Sequence, residues 1–194
     1  MSTLLYIHGF LSSPKSVKAV QMKHWLQTHR PGIMFTCPFL KPYPQESLKT
    51  LENIIENALS DSDGIAYVMG SSLGGFWATW LVEKYNIKAV LINPAVKLTL
   101  FNKEYINVPL KNYHTEDTYK LTESDIDKFH RLNIETISRP KNYFVMLQTG
   151  DEVLDYQLAE KKYAGSKLLI EEGGDHSFVN FESKIPQAVE FLES

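Results

Sequence analysis

The feature that most restricts the fold of this chain is a regular alternation of short apolar runs with longer segments of helical spacing. The apolar runs, which we interpret as strands, lie near residues 3–8, 33–37, 65–69, 88–92, 143–148 and 167–171. The helical segments lie near residues 14–29, 45–59, 72–85, 153–163 and 181–193. Such alternation predicts an α/β fold, a mainly parallel sheet of about six strands with helices on both faces.

Residues 95–138 interrupt this alternation. The stretch is aromatic and polar without a convincing strand, and Thr122–Asp125 has the spacing of a helix cap before a single helical run. A connection of this length is usually functional. We therefore predict one domain, residues 1–194, with a small helical cap at 95–138 that folds over the carboxyl edge of the sheet. Either this cap helps to bind substrate, or it only covers an apolar surface.

The composition excludes several classes of protein. The net charge of -3 gives no reason to expect a nucleic-acid partner. No apolar run approaches the roughly 20 residues that span a bilayer, and the amino terminus lacks the features of a signal peptide. The single cysteine, Cys37, fits a reducing compartment. We expect a cytoplasmic protein with no membrane span, and the sequence leaves its oligomeric state open.

Residues Gly70–Gly74 match the pattern G-x-S-x-G, with Ser72 at its centre. In this nucleophile elbow a serine occupies a sharp turn between a strand and a helix, and its hydroxyl is exposed above the sheet. An apolar run precedes the motif, and Leu73, Phe76, Trp77, Trp80 and Leu81 follow it at helical spacing. The context therefore matches the motif, and we expect the two tryptophans to pack in the core.

A serine hydroxyl needs a positioned base and an acid that orients the base. In proteins with a nucleophile elbow these residues follow one another along the chain in the order Ser, then Asp or Glu, then His. His176 lies in a glycine-rich loop after the last predicted strand, whereas the other five histidines are poorly placed. Asp151 follows the preceding strand, so it should emerge at the same edge of the sheet. The acids that compete with it are Glu152, Asp155 and Asp175; we expect Asp155 inside the next helix and Asp175 as a support of its loop.

The third requirement of this chemistry is an oxyanion hole of two backbone N–H groups. Leu73 should provide one, because it follows the nucleophile, and Phe10 the other, because it follows Gly9 after the first strand. We expect the side chain of His8 to order this loop rather than to accept the catalytic proton. Cys37 fits a half-buried core position better than a catalytic thiol. No metal-ligand cluster or nucleotide-binding loop is present, so we predict neither a metal nor a cofactor.

Taken together, His8-Gly9-Phe10, Gly70–Gly74, Gly150-Asp151-Glu152 and Asp175-His176 resemble the α/β-hydrolase superfamily across nearly the whole chain. Within this superfamily, the chain is similar to the small YqiA-like bacterial esterases. That similarity lies in Tyr6–Pro14, Met69–Gly75, Ile92–Ala95 and Gln148–Asp155. The resemblance implies hydrolysis of carboxylic esters or thioesters, with Ser72, Asp151 and His176 in the matching places.

We expect a serine esterase that forms a covalent acyl-enzyme with a small-molecule ester or thioester. The alternatives with the same triad are an acyl-CoA thioesterase, a peptidase and a carbon–carbon bond hydrolase. A non-catalytic binding protein with the hydrolase fold is the alternative of another class. Lys97, Lys103 and Lys111 either form a basic rim for a phosphopantetheine-bearing substrate or only solvate the surface.

Overall fold

The six predicted strands form one sheet in which all neighbours run parallel. The computed structural model describes residues 2–60, 64–98 and 103–194. The strands are β1 Ser2–Ile7, β2 Ile33–Thr36, β3 Ile65–Ser71, β4 Lys88–Ile92, β5 Leu110–Lys111, β6 Thr118–Tyr119, β7 Tyr143–Gln148 and β8 Lys167–Glu171. The six-stranded sheet has the order β2-β1-β3-β4-β7-β8, and the prediction of a mainly parallel sheet is confirmed.

Helices cover both faces of this sheet. They are α1 Val17–His29, α2 Pro44–Ser60, α3 Leu73–Tyr85, α4 Glu123–Leu132, α5 Tyr156–Lys162 and α6 Ile185–Glu193. Successive side chains of a strand point to opposite faces. Along β1, Leu4 and Tyr6 pack in the cluster that contains α1 and α6, whereas Leu5 and Ile7 pack in the cluster that contains α2, α3 and α5. Burial on both faces explains why the strands are continuously apolar.

The strand order reverses direction between β1 and β3. From β1 the chain first adds β2 on one side, and it then crosses to β3 and β4 on the other side. In open parallel sheets such a reversal leaves a crevice at the carboxyl ends of the strands, where ligands bind. The loop after β1 and the turn after β3 both open into this crevice, so the fold itself locates the candidate site.

The stretch between β4 and β7 contains more strand than we predicted from the sequence. Strands β5 and β6 pair as a short antiparallel ribbon, with Leu110 opposite Tyr119. Each strand has two residues, which is too short to show an alternating pattern, so the expectation of a strand-free stretch was wrong. The Asn112 amide and the Tyr113 N–H donate hydrogen bonds of 3.1 and 2.8 Å to carbonyls in the loop after β1.

Helix α4 is the helical part of the same stretch. Thr122 and Asp125 form a reciprocal capping box at its amino end, as the sequence pattern predicted. The ring of Phe129 lies 6.1 Å from Phe76 and 5.6 Å from Trp77, so α4 packs on the helix that follows the nucleophile elbow. The boundaries of the cap at 95 and 138 remain a prediction. Of the helices described, none combines the length and the apolar character needed to cross a membrane.

Candidate active site

Ser72 lies alone between the end of β3 and the first residue of α3. Its backbone has φ 55° and ψ -121°, a conformation that non-glycine residues rarely adopt. The Ser72 N–H donates to the carbonyl of Ile92 at 3.0 Å. A Cβ atom on Gly70 would collide with the carbonyl of Gly74, and one on Gly74 would collide with the carbonyl of Ile7. The turn is therefore possible only where these two flanking residues lack side chains.

The structure brings Ser72, His176 and Asp151 together in one hydrogen-bonded row. His176 Nε2 lies 3.0 Å from Ser72 Oγ, and His176 Nδ1 lies 2.9 Å from each carboxylate oxygen of Asp151. Because a carboxylate only accepts, Nδ1 carries the proton and donates it, which leaves Nε2 free to accept from the serine hydroxyl. Chemically, an arrangement of this kind allows an imidazole to take the proton of a serine hydroxyl that attacks a carbonyl carbon.

Asp151 is held as a carboxylate although its side chain is only 2% exposed. Burial by itself raises the pKa of this carboxyl. The hydrogen bonds from His176 and from the backbone N–H groups of Leu154 and Val153 outweigh that effect and hold the pKa below its usual value. The two backbone bonds, of 2.8 and 2.9 Å, also fix the orientation of the carboxylate.

Two of the three competing acids, Glu152 and Asp155, make other contacts. Glu152 accepts a hydrogen bond of 3.0 Å from the backbone N–H of His176, not from its ring. Asp155 does not lie inside α5, contrary to our expectation; it is the N-cap, and it accepts from the N–H of Gln157 at 2.9 Å. A capping aspartate lies one residue before the helix begins, and the periodicity of the sequence does not show that boundary. The carboxylate that contacts the imidazole of His176 is that of Asp151.

Two buried amides that we did not predict hold the segment that carries His176. The Asn93 amide donates to the carbonyls of Asp175 and His176, at 3.0 and 3.3 Å. Gln148 accepts from the N–H groups of Asp175 and Val179, at 3.2 and 2.8 Å, and donates to the carbonyl of Val179. Both amides are buried, and Asn93 Oδ1 accepts from the Gln148 N–H at 3.0 Å. The irregular loop is thereby fixed to the ends of β4 and β7.

Phe10 and Leu73, the predicted donors of the oxyanion hole, line the same cavity as Ser72. Leu73 is the first residue of α3, and N–H groups in the first turn of a helix have no partner within the helix. His8 is buried beside them; it donates from Nδ1 to the carbonyl of Gly9 and accepts at Nε2 from the N–H of Leu40. Burial lowers the pKa of His8, so the ring is neutral and orders the loop.

The cavity in front of Ser72 has a volume of about 480 Å³. Its apolar lining comes from the loop after β1, the cap stretch and the residue after Glu152: Phe10, Leu11, Ala95, Leu98, Leu110 and Val153. Among the described residues, Lys18 is the one lysine, arginine, aspartate or glutamate in the lining. In the same part of the chain, no three histidine, cysteine, aspartate or glutamate side chains are grouped so that they could hold a metal ion.

Two of the lysines that we considered for a basic rim, Lys97 and Lys111, do not line this cavity. Lys97 is exposed, and Lys111 forms an ion pair of 2.9 Å with Glu116. The side chain of Lys103 lies outside the described residues. Lys18, which does line the cavity, lies in the first turn of α1 and carries no sequence signal that separates it from the other lysines.

The sequence and the fold of this chain are similar to those of known proteins. A UPF0227 protein of Serratia proteamaculans (strain 568) is 25% identical over 191 residues, which is 97% of each chain. A structure from Agrobacterium vitis S4, provisionally described as a hydrolase, has a TM-score of 0.77 at 15% identity and covers 100% of this chain and 88% of its own. For a structure of the metagenome-derived lipolytic enzymes LipS and LipT, the TM-score is 0.71 at 16% identity, with coverage of 99% and 93%.

These structural similarities establish the architecture of the chain. The parallel sheet, the elbow after β3 and the helices on both faces form the α/β-hydrolase fold. The sequence profile of the family described as "Uncharacterised protein family (UPF0227)" matches residues 3–193. This match covers nearly the whole chain, which therefore belongs to the UPF0227 family.

Proposed function

We propose that this protein is a serine esterase that hydrolyses carboxylic esters through a covalent acyl-enzyme. The observation that carries the proposal is the hydrogen-bonded row from Ser72 Oγ through His176 to Asp151, with distances of 3.0 and 2.9 Å. The fold it shares with lipolytic enzymes supports the same reaction class by analogy.

In the first half of the reaction, Ser72 Oγ attacks the carbonyl carbon of the ester while His176 Nε2 takes the hydroxyl proton. The negative charge that develops on the carbonyl oxygen accepts hydrogen bonds from the N–H groups of Phe10 and Leu73. Asp151 stabilises the imidazolium that forms. The tetrahedral intermediate then collapses; the bond to the alcohol oxygen breaks, and His176 returns its proton to that oxygen.

Water completes the reaction on the acyl-enzyme. His176 Nε2 takes a proton from the water as its oxygen attacks the acyl carbon, and the same two N–H groups stabilise the second oxyanion. Collapse of this intermediate releases the carboxylic acid and returns the proton to Ser72 Oγ. The same steps cleave an acyl thioester, so the alternative of a thioesterase differs in the substrate and not in the machinery.

A fluorophosphonate probe followed by mass spectrometry tests the nucleophile. We expect one adduct, on Ser72 and not on the neighbouring Ser71, and loss of about 10⁴-fold or more in the turnover of p-nitrophenyl esters by Ser72→Ala. Ser60→Ala, which changes an exposed serine at the end of α2, is the matched control and should retain full activity. An unlabelled wild-type protein would instead favour the alternative of a non-catalytic binding protein.

A substrate panel distinguishes the remaining alternatives. Oxygen esters and thioesters of equal acyl chain length, together with short peptides, would be compared by kcat/KM. We expect esters with apolar acyl groups to be hydrolysed fastest, because the side chains of Leu11, Leu98 and Leu110 line the cavity. Faster turnover of the matched thioester would assign the protein as a thioesterase, and turnover of peptides alone would contradict the proposal.

A further inference from the structure

We infer that Lys18 binds an anionic group, a carboxylate or a phosphate, on the leaving-group portion of the substrate. This inference deepens the proposed function and rests on it. It makes the substrate an ester, or thioester, between an apolar acyl group and an alcohol or thiol that carries a negative charge.

The ammonium group of Lys18 contacts the segment that carries His176. Lys18 lines the cavity in front of Ser72, and its Nζ donates a hydrogen bond of 2.7 Å to the carbonyl of Ser177. No carboxylate in the described part of the chain lies within 4.0 Å of this Nζ, although Asp175 and Asp151 act on it from farther away. An ammonium has three N–H donors, so this group retains the capacity to bind an anion.

Placing this charge beside an apolar cavity costs the ammonium part of its hydration free energy. Burial lowers the pKa of Lys18, because a partly buried ammonium loses hydration that the distant carboxylates only partly replace. A lysine with no other role would extend into solvent, as Lys15 does immediately before α1. A ligand with a negative charge would supply the missing counter-ion at this point.

The contact between Lys18 and Ser177 assigns the anion to one side of the scissile bond. His176 returns its proton to the leaving group, so the leaving group departs next to the imidazole. Lys18 binds the carbonyl of Ser177, the residue directly after His176. We therefore assign the ammonium to the leaving-group side of Ser72.

The space around Lys18 agrees with this assignment. A neighbouring groove of about 1040 Å³ shares Ser12, Ser16, Lys18 and Ser177 with the catalytic cavity. Glu171, Asp175 and Glu182 also line this groove, so an uncharged part of the alcohol or thiol portion can extend past Lys18 into it while the anion stays at Lys18. The acyl portion faces the apolar lining supplied by Leu98 and Leu110.

The experiment compares two pairs of butyrate esters, and the members of each pair differ in the charge of the leaving group. They are 4-(butyryloxy)benzoate with its neutral methyl ester, and 2-(butyryloxy)ethyl phosphate with its neutral dimethyl phosphate triester. Each pair gives a ratio of kcat/KM for the anionic ester over the neutral one. We measure this ratio for the wild type, for Lys18→Met, which keeps the length of the side chain, and for Lys18→Arg. Lys15→Met, which removes an exposed charge one turn away, is the matched control.

We expect Lys18→Met to lower the ratio at least about ten-fold for the carboxylate pair or the phosphate pair, chiefly through KM. The pair that responds identifies the anion. Lys18→Arg and Lys15→Met should keep the ratio near that of the wild type. An equal loss on anionic and neutral esters would overturn the inference, because it would mean that Lys18 acts only by holding Ser177. An unchanged ratio in both pairs would overturn it as well.

The fluorophosphonate probe separates this inference from the proposed function. It reacts with an activated serine whether or not an anion is bound at Lys18. If the wild-type protein is not labelled at Ser72, the proposed function fails. If Ser72 is labelled in both the wild type and Lys18→Met and the ratios do not differ, the esterase stands and only the role of Lys18 is refuted.

Discussion

The backbone of Ser72 allows a prediction in which the usual effect of glycine on stability is reversed. Ser72 has φ 55° and ψ -121°, which glycine adopts readily and residues with a Cβ atom do not. We therefore compare Ser72→Gly with Ser72→Ala. Both variants lack the hydroxyl and its hydrogen bond to His176, so they differ only in the Cβ atom.

The expected difference follows from two opposing terms. A non-glycine residue in a sparsely populated region of φ and ψ costs on the order of 1–3 kcal/mol in the folded state. Glycine gives the unfolded chain extra freedom, which costs about 0.5–1 kcal/mol of stability. The glycine variant should therefore be more stable than the alanine variant by about 1 kcal/mol. For a chain of this size that corresponds to a melting temperature about 2–4 °C higher.

Urea denaturation of both variants at one pH, monitored by tryptophan fluorescence, measures the free energies of unfolding. Thermal melting provides a second reading of the same difference. Neither variant should hydrolyse p-nitrophenyl esters above the residual rate, because neither has a nucleophile. If Ser72→Ala is as stable as Ser72→Gly or more stable, the elbow is not strained and the reasoning is refuted.

Three further predictions concern residues around the site. Asn93→Asp replaces Nδ2, which donates to two carbonyls of the His176 loop, by an oxygen that cannot donate, so kcat should fall about 10–100-fold with KM little changed. The exposed Asn57→Asp should not alter kcat. Equal kinetics in the two variants would show that the amide does not position the base. Burial lowers the pKa of His8 in the folded state, so below about pH 6.5 the unfolded chain binds the proton more readily and the free energy of unfolding decreases as the pH falls. Denaturation at pH 5, 6 and 7 should show that the free energy of unfolding decreases less with falling pH for His8→Gln than for the wild type. The same pH dependence in both proteins would contradict a lowered pKa of His8. Burial raises the pKa of Cys37 to about 12, so iodoacetamide at pH 8 should alkylate it slowly in the native protein and rapidly in urea; rapid native labelling would refute the burial argument.

The sheet could be predicted from the sequence because its strands are buried on both faces. The run at 143–148 is apolar almost throughout, and β7 covers the same residues. Element ends that depend on a single polar side chain could not be predicted in this way. Asp155 belongs to the helical segment by spacing, yet its carboxylate caps α5 from outside. The ribbon of β5 and β6 was missed because a pair of residues has no measurable period.

Only the parts of the site that follow from the order of residues along the chain and from the nucleophile-elbow motif could be predicted. Order along the chain separated His176 from the other histidines and placed Asp151 at the edge of the sheet, and the structure brings both to Ser72. Their catalytic roles remain proposals. Asn93 and Lys18 gave no signal, because their bonds join residues 55 and 159 positions apart. Hydrogen bonds of that kind follow from the folded arrangement and not from a local pattern.

The sheet order gives the triad an uneven local stability. Ser72 follows β3, which is paired on both sides, whereas His176 follows β8, which forms an edge of the described sheet. Edge strands open more readily than central ones, and their amide hydrogens exchange sooner with solvent. Ser72 thus follows a strand that is paired on both sides, whereas the strand before His176 is paired on one side, and the loop after it is held by Asn93 and Gln148. Gentle denaturation should separate the base from the serine, and abolish catalysis, before the rest of the sheet unfolds.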